Sequence, residues 1–388
     1  MALSAFRRGG RAARMVAAVL CGAVLVLPTA FPDRTEQASS ERYTLASGVR
    51  LTVAEAPRQR LSYRLTEATT SRAELATLGG RLTAREPLSA LAAAAGPGVL
   101  AAVNGDFFDI FGSGVPLGPV IRGGRLLKGS AEPVKAVGTD RAGRVRKGRV
   151  RLVGAVSAGG RPHRLDCLNC LALQQGLAVY TPDWGSAPRP VRARGPVRQL
   201  TVSAGRVVDV RDRADTRQVP EDGFVVVAVG PVAKALDTVP AGAPVSFTAG
   251  QESNLASPWG LAMGYRGTLL DGGRIPAFPH THRYEIPEPR TALGWDGKGR
   301  RLWLLTVDGR SSRAAGLTVA GTARLMKRLG ARNAVMLDGG GSTQMIARTD
   351  PGTLATVNSP SGHAERPVPN GLVLLTPRRG FAARPKPW

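Results

Sequence analysis

The stretch that decides the fold reads Ala334-Val335-Met336-Leu337-Asp338-Gly339-Gly340-Gly341-Ser342-Thr343. Four apolar residues in succession predict a short buried strand that delivers Asp338 at its end. Three glycines follow, leaving backbone amides unobstructed and open to dihedrals that other residues avoid, so the main chain can come against a ligand. An isolated Asp-Gly pair would read as an ordinary tight turn. The triple glycine and the Ser-Thr pair shift the reading toward a site.

Working outward, Thr318 is a plausible N-cap, Val319, Ala323, Met326 and Leu329 recur at helical spacing, and Gly330 sits where a left-handed C-cap belongs. The same grammar occurs earlier. Pro87 suits a first helical turn, Leu88 to Ala95 are good helix formers, and Gly96-Pro97-Gly98 stops them. Val99 to Val103 then predicts a buried strand that ends at Asn104-Gly105-Asp106-Phe107-Phe108-Asp109. Each segment runs helix, turn, buried strand, polar Gly-rich tip, and the two tips are expected to meet at one rim of the sheet. Asn104 suits a sugar hydroxyl, and Asp106 suits the same task or a cation. The plainer alternative makes Phe107 and Phe108 core and the aspartates loop solubilisers.

From Tyr43 to Thr66 apolar and polar residues alternate, as in a partly exposed sheet. Arg122-Gly123-Gly124-Arg125 reads as a hairpin turn. The section from 135 to 257 alternates Val-rich runs with Gly, Pro and Arg and carries no chemical motif. The expected fold is α+β (mixed α/β): a central β-sheet with a few helices, and Gly-rich loops forming the site. The expected organisation is a secretory signal over 1–30, two parts of one domain over 31–134 and 258–376, a β-rich middle section or insertion over 135–257, and a frayed tail over 377–388.

The signal reading rests on Arg7, Arg8, Arg11 and Arg14, the uncharged run Met15 to Leu27, and the small-residue exit at Pro28-Thr29-Ala30. The run is short for a bilayer span, so membrane contact is expected only transiently, through this segment, and the mature protein is expected outside the cytoplasm. The chain has 388 residues and a formal net charge of +25. Loss of four arginines would leave about +21. Such a field concentrates polyanions. Export favours anionic wall or capsular polymers over nucleic acid, and aromatics at 5% with no nucleic-acid-binding motif give no specific reading of DNA or RNA. Cys167 and Cys170, spaced Cys-Leu-Asn-Cys, predict a local disulfide outside the cytoplasm.

No Walker loop, nucleophile elbow or zinc helix is present, and His163, His280, His282 and His363 show no convincing metal spacing. No cofactor is specified by the motifs, and metal dependence is left open; calcium on Asp106, Asp109 and Asp338 is the one candidate. Arg290 in Glu288-Pro289-Arg290-Thr291-Ala292, Arg310 in Val307-Asp308-Gly309-Arg310 and Arg366 in Glu365-Arg366-Pro367-Val368-Pro369-Asn370 stand in rich surroundings, and a guanidinium grips two phosphate oxygens at once.

The order of these motifs resembles the phosphodiester glycosidase family. The resembling stretches are Ala102 to Phe108, Pro116-Leu117-Gly118, Ile121 to Gly124, Pro289 to Gly294, Val307 to Arg310, Leu337 to Ser342 and Arg366 to Asn370. Leu261-Ala262-Met263-Gly264-Tyr265-Arg266 and Asp106 depart from the family's glycine-rich habit. The resemblance implies a hydrolase (a phosphodiester α-glycosidase) that cuts between the anomeric carbon and the phosphate of a glycosyl-1-phosphodiester, in cell-wall or exopolysaccharide metabolism. It implies Asp338 and Glu365 as nucleophile or base, after the two-carboxylate logic of glycosidases. The substrate residues would be Asn104, Asp106, Arg290, Asp308, Arg310, Gly339, Gly340, Gly341, Ser342, Arg366 and Asn370. The alternative is a non-catalytic protein that binds anionic glycans.

Overall fold

The computed structural model describes residues 38–377 other than 172, 190, 191, 351 and 363, so the predicted signal segment and nearly all of the tail lie outside the described residues. Two antiparallel sheets face each other at the centre. One has seven strands in the order Ser39–Ala46, Val49–Ala56, Leu61–Thr69, Arg301–Val307, Arg290–Trp295, Asn333–Met336 and Gly267–Leu270. The other has five, in the order Thr353–Thr356, Met345–Asp350, Val99–Asn104, Gly371–Leu375 and Glu74–Leu78.

Side-chain alternation explains why these strands read as unbroken apolar runs. Leu302, Leu304, Leu293, Trp295, Val335 and Leu337 point inward against Ala101, Val103, Met345, Leu372 and Leu374 of the facing sheet. The opposite face of the seven-stranded sheet, with Trp303, Leu305, Ala292 and Met336, is covered by Val319, Ala323 and Met326 of the helix Val319–Arg328. The helix Leu88–Ala94 covers the five-stranded sheet's outer face with Leu88, Leu91 and Ala92. A strand buried on both faces has no wet positions at which polar residues could alternate. The result is a sheet-dominated core with one helix on each outer face, so the α+β expectation holds only coarsely.

A further twelve-stranded sheet holds the Val-rich runs of the middle section, among them Val134–Asp140, Val145–Ala158, Val197–Ser203 and Gly223–Val229. It also draws on Val120–Arg122, Arg125–Ser130 and Trp259–Met263. Strands from both ends of its order, with Val156 and Ala158 at one end and Leu200 and Val202 at the other, share one buried cluster, so this sheet curls on itself. Cys167 and Cys170 are joined by the expected disulfide, with Cα atoms 5.8 Å apart.

The helix signals read from the sequence act as expected. Thr318 Oγ1 accepts from the Gly321 N–H at 2.9 Å, and Gly330 takes φ +96° just past the helix end. The first helix begins one position later than expected, because Pro87 is its cap, with extended ψ, and Leu88 opens the first turn. Gly123 and Gly124 take φ +57° and +79° in the hairpin between Val120–Arg122 and Arg125–Ser130. The two Gly-rich tips do meet. The Asp338 N–H donates to the Gly105 carbonyl at 2.9 Å, and Asn104 Nδ2 donates to the Asp338 carbonyl at 2.7 Å. They arrive from two facing sheets, so they meet across the layers and not along one rim of a single sheet.

Candidate active site

Asp338 lies where the facing sheets end together, half-buried at the floor of a cleft of about 300 Å³ that Phe107, Arg266, Glu288, Arg290, Arg310, Gly339 and Gly340 help to line. Burial pushes its carboxyl up from 3.8 to about 6, against the opposing pull of hydrogen bonds from Ser342 and Gly339 and of the Arg366 and Arg266 charges. The Gly339 N–H donates to Asp338 Oδ1 at 3.0 Å. A carboxyl tuned to that range is ionised at neutral pH and still basic enough to accept a proton.

The glycines after Asp338 make room for cations. A Cβ on Gly340 would lie 3.1 Å from the Arg310 guanidinium, and one on Gly341 would lie 2.3 Å from that of Arg366. Gly340 also holds φ +59°, which L side chains rarely adopt. Two guanidinium groups therefore press directly on the loop backbone. Arg310 Nε is bound by Glu288 at 2.6 Å, while the contact of Arg366 with Ser342 Oγ is a long 3.5 Å. Arg290 is buried at 6% exposure and spends two donors on the Leu317 and Ile286 carbonyls, at 2.8 and 2.9 Å. It lines the cleft mainly as a fixed positive charge.

A second cavity of about 380 Å³ lies beside the first and shares Phe107 and Arg266 with it. The Arg266 guanidinium rests 5.3 Å from the centre of the Phe107 ring. Among the described residues it donates no hydrogen bond, so its five N–H groups stay available. Asp106 lies on the far side of this wall, 4% exposed, accepting from the Gly118 N–H at 2.8 Å. Burial raises its pKa well above the carboxylate range, with the Asp338 charge adding to the rise and the Gly118 hydrogen bond and Lys128 opposing it. Gly118 and Gly264 have no space for a side chain: their Cβ atoms would fall 2.7 and 2.4 Å from Asp106 Oδ2.

The remaining predicted residues divide by what holds them. Asn104 is fully buried and spent, with Oδ1 accepting from Thr291 Oγ1 at 2.7 Å and from the Gln344 N–H at 3.2 Å while Nδ2 grips Asp338. It positions the Asp338 strand end and lines neither cavity. Asn370 likewise receives the Asp106 N–H at 2.9 Å and the Gly105 N–H at 3.1 Å. Asp308 is 3% exposed and ties Ser62, Asn358 and Ser359 together, at 2.8 to 3.0 Å. Glu365 lines neither cavity: its carboxylate accepts from the Ser89 N–H and Oγ at 3.2 and 2.6 Å and from Thr356 Oγ1 at 2.9 Å, which holds its pKa down against burial. Ser342 is 2% exposed beneath the loop.

Among the described residues no three His, Cys, Asp or Glu side chains come together to hold a metal. The calcium candidates are accordingly separate: Asp109 accepts from the Ser113 N–H and Oγ in its own loop, at 2.8 and 3.0 Å.

Two residues escaped the sequence reading. Lys128 is 7% exposed and donates to the Leu117 and Gly118 carbonyls at 3.2 and 3.1 Å, its pKa lowered by burial and partly restored by Asp106. The available signal was a lysine in the apolar run Leu126-Leu127-Lys128. Arg266 carried a signal too, since it closes the stretch that departs from the family habit.

Residues 197–375 match the sequence profile of the phosphodiester glycosidase family. That span includes Arg290, Arg310, the Asp338 loop and Arg366, and it is somewhat under half of the chain. No curated protein sequence matches the chain. The fold is shared with a hypothetical protein from Synechocystis at a TM-score of 0.68 and 22% identity, over 87% of this chain and 64% of that one. The chain thus spans under two thirds of that neighbour's length. It is also shared with a Burkholderia pseudomallei K96243 protein described as exported, at 0.64 and 22%, over 81% and 74%. The zebrafish N-acetylglucosamine-1-phosphodiester alpha-N-acetylglucosaminidase catalytic domain, auto-inhibited by its pro-peptide, aligns over 88% and 89% at 17% identity with a TM-score of 0.45, too loosely to carry structural inference.

Proposed function

We propose that this protein is a phosphodiester glycosidase that hydrolyses the bond between a sugar's anomeric carbon and the phosphate of a glycosyl-1-phosphodiester. The observation that carries the reading is Asp338: a carboxyl raised to about 6 at the floor of a cleft, on a glycine loop pressed by the Arg310 and Arg366 guanidinium groups. The family match over residues 197–375 supports it. In a direct route water attacks the anomeric carbon while Asp338 takes its proton, the C1–O bond breaks, and the electron pair leaves on the phosphate; in a covalent route Asp338 attacks, the same bond breaks, and water then hydrolyses the glycosyl ester to free sugar and restores the carboxylate. A phosphate departs readily, so the main demand is electrostatic stabilisation of the leaving oxygen by preorganised cations. Arg266, which lines the cleft with its donors uncommitted, would supply it, with Arg290 and Arg310 adding fixed charge and Arg366, which lines neither cavity, acting through its charge on Asp338.

The partner carboxyl in this reading is Asp106 and not Glu365. Glu365 is consumed by Ser89 and Thr356, whereas Asp106 faces the neighbouring cavity, close enough to Asp338 to feel its charge. Burial holds part of the Asp106 population protonated near neutrality, as an acid or as a neutral wall beside the departing phosphate. The disulfide and the fold shared with a protein described as exported support an extracytoplasmic site of action, on wall or exopolysaccharide phosphodiesters.

The test is release of free sugar from a panel of sugar-1-phosphodiesters by residues 31–388, beside Asp338→Asn and with or without chelator. Release that disappears in the variant supports the reading. Binding of anionic glycans without release from any diester would replace it with the binding-protein alternative.

A further inference from the structure

Two cations of the second cavity, Lys135 and Arg149, meet no carboxylate among the described residues. Lys135 and Arg149 both line it, and they stand directly opposite each other in the antiparallel pairing of Val134–Asp140 with Val145–Ala158. Like charges in that relation, with Cβ atoms about 5 Å apart, destabilise a sheet. Neighbouring cations on the same strand are compensated: Lys147 pairs with Asp271 at 3.0 Å and Arg151 with Glu252 at 2.5 Å. Arg149, midway between them, spends one donor on the Pro133 carbonyl at 3.2 Å and meets no carboxylate among the described residues, and neither does Lys135. Asp106, the acidic group lining the cavity, is held by burial toward its neutral form. Leu117, Val134 and Tyr265 supply apolar wall between these cations and Arg266.

We propose that this cavity binds a second anionic group of the substrate, a carboxylate, sulfate or further phosphate carried on the arm beyond the scissile phosphodiester. The inference rests on the phosphodiester glycosidase reading above and narrows its substrate class. Arg266 lies in the wall common to both cavities, where the phosphate of a spanning diester would sit. The sugar arm would occupy the Asp338 cleft, and the carbons of the other arm would lie against Leu117 and Tyr265 with its anion on Lys135 and Arg149. An uncharged arm would leave the opposed cations repelling each other.

The test uses calorimetry with two phosphomonoesters that resemble the departing half: 3-phosphoglycerate, with phosphate and carboxylate, and glycerol 3-phosphate, with phosphate alone. The unaltered protein is expected to bind 3-phosphoglycerate about tenfold more tightly, the size of one charge-assisted contact. In Lys135→Ala/Arg149→Ala, whose altered side chains are both exposed, the preference should vanish while glycerol 3-phosphate affinity changes less than about twofold. Equal affinities in the unaltered protein, no binding of either ester, or a preference that survives the double substitution overturns the proposal. Binding needs no turnover, so the two readings fail separately. A preference without hydrolysis of any diester would remove the catalytic reading alone, and hydrolysis without a preference would remove the anionic-arm proposal alone.

Discussion

Replacing Asp338 with asparagine should make the protein more stable and inactive at the same time. The folded carboxyl titrates at about 6 instead of 3.8, so the native state holds its proton more tightly than the unfolded chain does. That preference stabilises the acid form, and it is lost as pH rises from about 4 through 6, leaving a full cost of about 3 kcal/mol above that range. The substituted amide would keep the oxygen that accepts the Gly339 N–H, now at 3.0 Å, and would drop the charge. Asp338→Asn is therefore expected to gain up to about 3 kcal/mol at pH 8, and only about 1 kcal/mol at pH 4.5. Urea denaturation at both pH values, followed by fluorescence of the buried Trp184, Trp259, Trp295 and Trp303, measures the difference. Turnover of a glycosyl phosphodiester should fall by about a hundredfold or more. A variant equally stable at both pH values, or less stable at pH 8, would mean that the carboxylate is well solvated or well paired, and the argument from burial would be wrong.

Three other outcomes are expected. Gly341→Ala should push the Arg366 guanidinium off the loop, because the new Cβ would lie 2.3 Å from it. The obstacle is the end of a flexible side chain, so melting temperature should hold while kcat/KM falls about tenfold, and unchanged kinetics would remove Arg366 from the site. Glu365→Gln should cost about 1 to 2 kcal/mol of stability through its bonds to Ser89 and Thr356, with kcat changed less than about threefold; a collapse of kcat without loss of stability would restore Glu365 as a catalytic residue. Asn104→Ala should leave Thr291 Oγ1, the Gln344 N–H and the Asp338 carbonyl without partners, costing about 3 kcal/mol in thermal or chemical unfolding. Near-native stability would show that these groups find other partners.

Local physics was legible along the chain wherever one segment contained both the cause and its effect. Thr318 three residues before Gly321, the glycine at 330 beyond the helix, and apolar runs too short for helices all declared their elements before any folding was considered, because capping and periodicity act over a few residues. The Asp338 loop was legible for the same reason: three successive glycines are costly unless the backbone must approach something. What the chain could not declare was which partner each polar group finds. Asn104 and Glu365 look like site residues in sequence, and they become structural because Thr291, Gln344 and Ser89, 187, 240 and 276 positions away, claim their hydrogen bonds. Asp106 and Asp338 acquire raised pKa values through burial, and Arg266, from the connection between Trp259–Met263 and Gly267–Leu270, converges on one cavity with Lys135 and Arg149 from two paired strands. Desolvation and charge pairing depend on distance in space, so tertiary structure alone decided which carboxyls and cations of this protein line the two cavities.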